Sequence, residues 1–260
     1  MTGSVQYVYC IVPASFAASD APHGIDRTPV RRVARGMVAA LVSSLDASEY
    51  SGDAAAERMG DPEWLAPRAV AHDALVTWAS DRGPVVPFPM WIMFRDDASV
   101  SSMLADREEE FSETLDHVRE AREFCVRVSA DRSALAAAAE LMDSALADIE
   151  QQAKVAPPGE AYLLRRKLME ARKLAARDAA ARIADQTHQA LSGSSRSAVA
   201  RATAVSREPG VLLDGAYLVA DDKYEPFREV LTELIAAFQP AGIRFDFTGP
   251  WPPYHFVRDS

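Results

Sequence analysis

The five histidines, His23, His72, His117, His188 and His255, are the chain's first candidates for chemistry, because imidazole carries protons and binds metals near neutral pH. They are dispersed, and none sits in a cluster of ligand side chains at the short spacing of a zinc site, so no metal and no cofactor is expected. His72 is followed directly by Asp73 and stands between Trp64 and Trp78, where it would make a general acid/base pair if both side chains lined a pocket. Neighbouring residues on a helix point in different directions, however. The expectation is therefore a histidine that hydrogen-bonds across its own domain. There is no glycine-rich phosphate loop, GxSxG elbow, HExxH or paired CxxC, and no catalytic residue is expected. Cys10 and Cys125 each fall inside a strand pattern and are read as buried, reduced thiols.

Two other groupings fit binding better than catalysis. Residues 151–191 carry eight basic side chains (Lys154, Arg165, Arg166, Lys167, Arg172, Lys173, Arg177, Arg182) against four acidic ones, a balance of +4 in a chain of net charge -10. Such a helix is either a solvated face with internal ion pairs, such as Glu170 with Lys173, or an electropositive docking surface for an acidic partner. Arg165, Arg166, Lys167, Arg172 and Lys173 are the candidate contacts. The second grouping is TGPWPPYHFV at 248–257, where three prolines fix the backbone and Trp251, Tyr254 and Phe256 offer large aromatic surfaces. These aromatics either fold back on a core or anchor a partner. If the Trp251 indole is buried, its replacement by alanine should cost about 3–5 kcal/mol.

The elements that must position these residues follow from length and patterning. With 260 residues, 48% hydrophobic and 25% charged, the chain has the balance of a soluble globular protein of one large or two ordinary domains. Net charge -10 disfavours nucleic acid and anionic membrane surfaces as partners. The N-terminal residues lack a basic leader pattern and no apolar run of membrane-spanning length occurs, so an intracellular, cytoplasmic protein is expected. SVQYVYCIV at 4–12 reads as a central strand, with more strand signal near 29–33 and 37–44. A helix is expected over 62–80. VVPFPMWIMF at 85–94 should form a sheet edge or bend in its proline-bearing first half and a buried strand in its second.

A helix over 98–120 and the strand FCVRVSA follow. Helices are expected at 131–153, capped by Asp131 with Leu135, Leu141, Met142, Leu146 and Ile149 as its stripe, and at 160–191. The remainder reads as strands at 198–205 and 211–220, a helix at 223–238 and a strand at 241–248. Phe227, Val230, Leu231, Leu234, Ile235 and Phe238 mark one face of that last helix. The fold class is α+β in two domains, an N-terminal one over 1–130 and a C-terminal one over 131–260 that contains the long helical segment 131–191, with long helices between or beside the sheets.

Several strings resemble the GvpF/GvpL family of gas vesicle proteins. TGPWPPYHFV at Thr248–Val257 is similar to the string that closes the family's chains, and its composition makes the likeness specific. YVYCIV at 7–12 resembles the family's first strand, GEAYLLRRK at 159–167 the segment before its long helix, and AYLV at 216–219 the strand before its last helix. One segment departs: the family's counterpart of 85–94 usually carries an Arg, a Gly and a Thr that are missing here.

The resemblance implies a two-domain α+β protein whose C-terminal domain is similar to a modified ferredoxin-like fold. It further implies an accessory or minor structural protein of gas vesicles, one that contacts the shell protein GvpA and other Gvp accessory proteins. No cofactor and no enzymatic activity is implied. A reading of another class, a small-molecule-binding regulatory or enzymatic domain on a ferredoxin-like scaffold, would require a polar pocket around His72.

Overall fold

A strand that reads YVYCIV is apolar on both of its faces, so it is stable only if both faces are covered. That is where β1 (Ser4–Pro13) lies, with Tyr7 to Val12 all fully buried. In the computed structural model, residues 3–50, 57–58, 60–142, 144–200 and 210–257 are described, those at 132, 141 and 142 by backbone only. β1 pairs antiparallel with β3 (Val38–Asp46), and β3 with β2 (Arg31–Arg35). The register of β1 on β3 shifts between Val8 and Cys10. This bulge sends Tyr9 and Cys10 to the same side, so Tyr7, Tyr9, Cys10 and Val12 join one apolar cluster while Val8 and Ile11 join another.

After a short helix α1 (Ala47–Tyr50), α2 (Pro62–Ser80) covers the first face with Leu75, Val76 and Ala79. Its start has a local cause: Asp61 accepts a hydrogen bond from the Glu63 amide at 2.9 Å and Pro62 occupies the first turn, where no amide donor is needed. The other face is covered by α3 (Asp97–Asp106) and α4 (Glu108–Val118) through Val100, Leu104, Phe111 and Leu115. The sequence suggested one helix there. It breaks at Arg107, whose backbone leaves helical geometry (φ -120°, ψ 18°) and whose side chain turns to Glu110 at 2.9 Å. Glu108, Glu109 and Glu110 then open α4, where the positive end of the helix dipole favours carboxylates.

The segment 85–94 differs from the expectation in its second half. Val85, Val86 and Phe88 are buried, whereas Trp91 to Phe94 are only half-buried. Two short strands, β4 (Val86–Pro87) and β5 (Met93–Phe94), pair with β1 at Ile11–Cys10 and at Tyr7–Gln6, on the side away from β3. Together they make one interrupted edge strand. Two prolines and the left-handed backbone of Trp91 (φ 73°) prevent a continuous ladder between them.

The second sheet has the order β7-β8-β6-β9, from β6 (Ala121–Ser129), β7 (Ser197–Ala200), β8 (Val211–Ala220) and β9 (Arg244–Trp251). β6 alternates, with Phe124, Val126 and Val128 turned into one apolar cluster, as a strand covered on a single face should. The part of the expected strand beyond Ala200 lies outside the described residues. Helix α8 (Tyr224–Phe238) supplies Phe227, Leu231, Leu234 and Phe238 to the same cluster.

Between β6 and β7 stand α5 (Arg132–Met142), α6 (Ala145–Val155) and the 36-residue α7 (Pro158–Gly193). Asp131 caps α5 through the amides of Ser133 and Ala134 at 2.9 and 2.8 Å. The helix expected over 131–153 is divided near Ser144, a residue type that prefers helix ends. The side chains of Leu141 and Met142 lie outside the described residues. Buried positions on α7 recur first every seven residues (Ala161, Leu168, Ala175), then every four (Ala179, Ile183, Thr187, Leu191). α5 and α6 pack along α7 across an alanine-rich seam.

The chain divides into two compact units. One runs up to Glu123 and takes back the residues from Pro250 onward; the other is Phe124–Gly249.

Candidate functional site: two contact surfaces and a buried histidine

His72 lies on the buried side of α2, 4% exposed, and its Nδ1 is 2.8 Å from the Tyr7 hydroxyl. Tyr7 also accepts from the Trp91 amide at 3.3 Å, and the Tyr7 and Tyr9 rings lie within 6 Å of the imidazole. Burial pushes the His72 pKa down to about 4, against smaller opposing effects from the Phe88 backbone and Asp73. Beside it, the Trp64 and Trp91 rings stack at 5.4 Å. The Arg68 guanidinium lies 4.0 Å over Trp64, donates to the Tyr50 hydroxyl at 2.7 Å and pairs with Asp26 at 2.8 Å. Tyr50 in turn donates to Asp26. This knot of rings and paired charges joins β1, α1, α2 and the segment 85–94, and the imidazole is enclosed by it.

Three open clefts are lined by Glu113, Thr114, His117 and Phe256, by Ser129 to Asp131 with Leu135, Gly210, Val211 and Arg244, and by Ser15 to Ser19 with Arg31 and Arg32. None of them reaches His72. Among the described residues, no group of three or more His, Cys, Asp or Glu side chains could hold a metal ion, and no helix is long and apolar enough to cross a membrane. Cys10 is buried, which pushes its thiol pKa up, and Cys125 is half-buried.

The C-terminal aromatic string separates into three environments. Trp251 ends β9 with 45% of its surface exposed, far from the burial that a cost of 3–5 kcal/mol would require. Pro252 and Pro253 are buried, and Tyr254 packs against the apolar cluster of Tyr7, Tyr9 and Leu75, where burial pushes its hydroxyl pKa up. Phe256 is half-buried beside Glu113, Thr114 and His117. The string is pinned by Glu123 of β6. Its carboxylate, 2% exposed, accepts from the His255 amide at 2.9 Å and lies 2.6 Å from His255 Nδ1. Sequence reasoning missed Glu123; the available signal was a carboxylate inside an otherwise apolar strand.

On α7, Arg165, Arg166, Lys167 and Lys173 are exposed. Arg172 is half-buried and serves the fold, reaching Glu140 of α5 at 3.1 Å and Glu150 of α6 at 2.9 Å. Lys173 pairs with Glu170 at 3.3 Å along the helix. Four large apolar side chains on the same stretch also face solvent: Tyr162, Leu163, Met169 and Leu174 are 67%, 63%, 54% and 62% exposed. They are off the buried heptad positions, which was the signal that could have found them.

Two units, each of sheet and helices around buried aromatic and apolar clusters, with a basic helix face exposed on the second, describe an α+β protein. Residues 5–258 match the family model for the gas vesicle synthesis protein GvpL/GvpF, and the chain belongs to that family. It is 29% identical to gas vesicle protein L of a Streptomyces strain over 98% of this chain and 94% of that one. It is 24% identical to gas vesicle protein L1 of Halobacterium salinarum over 98% and 90% of the two chains. Its fold is similar to the crystal structures of gas vesicle protein GvpF from an Anabaena species (TM-score 0.72, 15% identity, covering 99% of this chain and 100% of that one) and from Microcystis aeruginosa (0.69, 14%, 98% and 99%).

Proposed function

We propose that this member of the gas vesicle family is an accessory or minor structural protein that binds the shell protein GvpA, other Gvp accessory proteins, or both, during vesicle assembly inside the cell. The observation that carries the reading is the first half of α7: an exposed, cation-rich helix face on a chain of net charge -10. A subunit that must face gas on one side is strongly apolar, and an acidic companion keeps such a subunit dispersed until it is added. Arg165, Arg166, Lys167 and Lys173 belong to the contact surface in this reading, and so does the exposed Trp251. Arg172, Tyr254 and Phe256, each partly buried, support it from within the fold.

The two units are proposed as two domains, the second a modified ferredoxin-like one. Its strand, helices, strand, strand, helix, strand sequence and its sheet order β7-β8-β6-β9 support that assignment, with α5, α6 and α7 as the enlarged first crossover. The alternative of a small-molecule-binding or enzymatic domain needed a polar pocket around His72, and the enclosure of that imidazole by Tyr7, Tyr9 and Trp91 gives it no support.

The test is a pull-down of the full chain against each neighbouring Gvp protein, repeated after charge reversal at Arg165, Arg166 and Lys173. Binding that weakens on reversal supports the role and its surface. Absence of binding to every Gvp neighbour overturns it.

A further inference from the structure

The outward face of α7 combines two kinds of side chain that rarely stay uncovered together. Tyr162, Arg166, Met169, Lys173 and Arg177 follow one another at spacings of four, three, four and four, flanked by Leu163, Glu170 and Leu174. All are exposed, and they lie on the side turned away from Ala161, Leu168 and Ala175, which α5 and α6 cover. Isolated exposed apolar residues need no explanation; here Tyr162 and Met169 line one side of the cation row and Leu163 and Leu174 the other, a banded stripe that loses free energy in water.

We propose that this stripe is the docking surface for a single acidic amphipathic helix of a partner protein. The partner's row of carboxylates would meet Arg166, Lys173 and Arg177 along the middle of the face, and its flanking apolar side chains would lie against Tyr162 and Met169 on one edge and Leu163 and Leu174 on the other. The proposal rests on the assembly role and narrows it to one kind of partner element. Helix-on-helix docking suits the geometry, because the spacings repeat on average near 3.6 and a second helix can follow them over several turns.

Charge decides between occupants. A second copy of α7 laid antiparallel about the centre of the stripe would put Arg166 against Lys173 and Tyr162 against Arg177; laid parallel, it would put each cation against itself. Either arrangement opposes like charges with one carboxylate, Glu170, to offset them. An anionic lipid surface would attract the three cations but would meet the field of a chain carrying -10. A helix whose row of glutamates is flanked by leucines satisfies both the central cations and the apolar edges.

The experiment uses the full chain and a labelled synthetic peptide with glutamate at alternating third and fourth positions, flanked by leucine. Its twin carries lysine in place of every glutamate, and mixed phosphatidylcholine and phosphatidylserine vesicles serve as a third probe. Two double variants, Leu163→Gln/Leu174→Gln and Arg166→Glu/Lys173→Glu, alter only exposed side chains; circular dichroism and melting temperature check that the fold is kept. The acidic peptide should bind in fluorescence anisotropy and the lysine twin should not. Each double variant should weaken binding by at least about tenfold, and salt should weaken it further.

Failure of the acidic peptide to bind, or equal binding by both variants, overturns the proposal. So does vesicle binding that both variants abolish while no peptide binds, which would make the face a lipid surface. The same variants run against the Gvp neighbours separate the two claims. A neighbour held equally by wild type and variants keeps the assembly role and overturns this face. Peptide binding lost in the variants, with no neighbour bound by wild type, keeps the face and overturns the role.

Discussion

A neutral imidazole sealed among tyrosine rings makes a stability that acid removes. His72 titrates near its ordinary 6.5 in the unfolded chain and at about 4 in the folded one. Above pH 6.5 both states hold it neutral; between about 6.5 and 4 the unfolded chain binds a proton that the folded chain excludes. Stability therefore falls as pH falls through that window, by up to about 3 kcal/mol from this residue. Urea unfolding at pH 7, 6 and 5 should show the decline. His72→Gln, which retains a partner for Tyr7, should be less stable at pH 7 by about 1–2 kcal/mol yet decline less steeply with acid. Equal slopes would mean that other groups carry the acid sensitivity. The C-terminal string offers a second contrast. Glu123→Ala removes the buried acceptor of the His255 amide and should cost about 2–3 kcal/mol. Trp251→Ala, at a side chain nearly half in water, should cost less than about 2 kcal/mol. A melting temperature that drops more for Trp251→Ala than for Glu123→Ala would reverse the roles assigned to the two residues.

At the scale of elements, the β2–β3 hairpin shows how a turn and a distant helix fix one another. Gly36 adopts φ 54°, and the next residue's amide donates to Glu108 at the start of α4 at 2.7 Å. A methyl group at position 36 would strain that backbone and collide with the Glu108 carboxylate, so Gly36→Ala should destabilise by about 2 kcal/mol in chemical denaturation. Unchanged stability would mean that the hairpin tolerates another turn. Elements with local causes were legible in the sequence. The α2 start follows from Pro62, β1 from a two-faced apolar run, and α8 from the spacing of Phe227 to Phe238. What escaped depends on distant partners. Arg107 breaks a helical pattern that looks continuous, because the carboxylates after it favour a new helix start. Trp91 turns the chain where its apolar neighbours suggested a buried strand. Glu123 reads as a misplaced charge until His255, 132 residues away, comes to it. The stripe on α7 was half-legible: its cations stood out by composition, while the exposure of Tyr162, Leu163, Met169 and Leu174 shows only once α5 and α6 take the opposite face.

At the scale of the whole molecule, the apolar clusters divide as the chain does, two against the faces of the first sheet and one between the second sheet and its helices. The unexpected feature is the return of the last residues to the first unit, because sequence order alone assigns TGPWPPYHFV to the domain it ends. Bonds of its last residues lie within the first unit: the His255 amide donates to Glu123, and the Tyr254 and Phe256 amides close turns on Pro252 and Pro253 at 2.8 and 3.1 Å. Two cavity-making variants test this division in the full chain. Val42→Ala opens the first unit's core and Ile183→Ala the second's; both side chains are fully buried, and each loss should cost roughly 1–4 kcal/mol. Hydrogen exchange followed by mass spectrometry should then show β1, β3 and residues 254–256 losing protection together in Val42→Ala, while α7 and α8 keep theirs. In Ile183→Ala the loss should fall on α7, β8 and α8, with residues 254–256 unchanged. If those amides instead follow Ile183→Ala, the string belongs energetically to the second unit, and the Glu123 contact is a consequence of its position and not the hold that keeps it there.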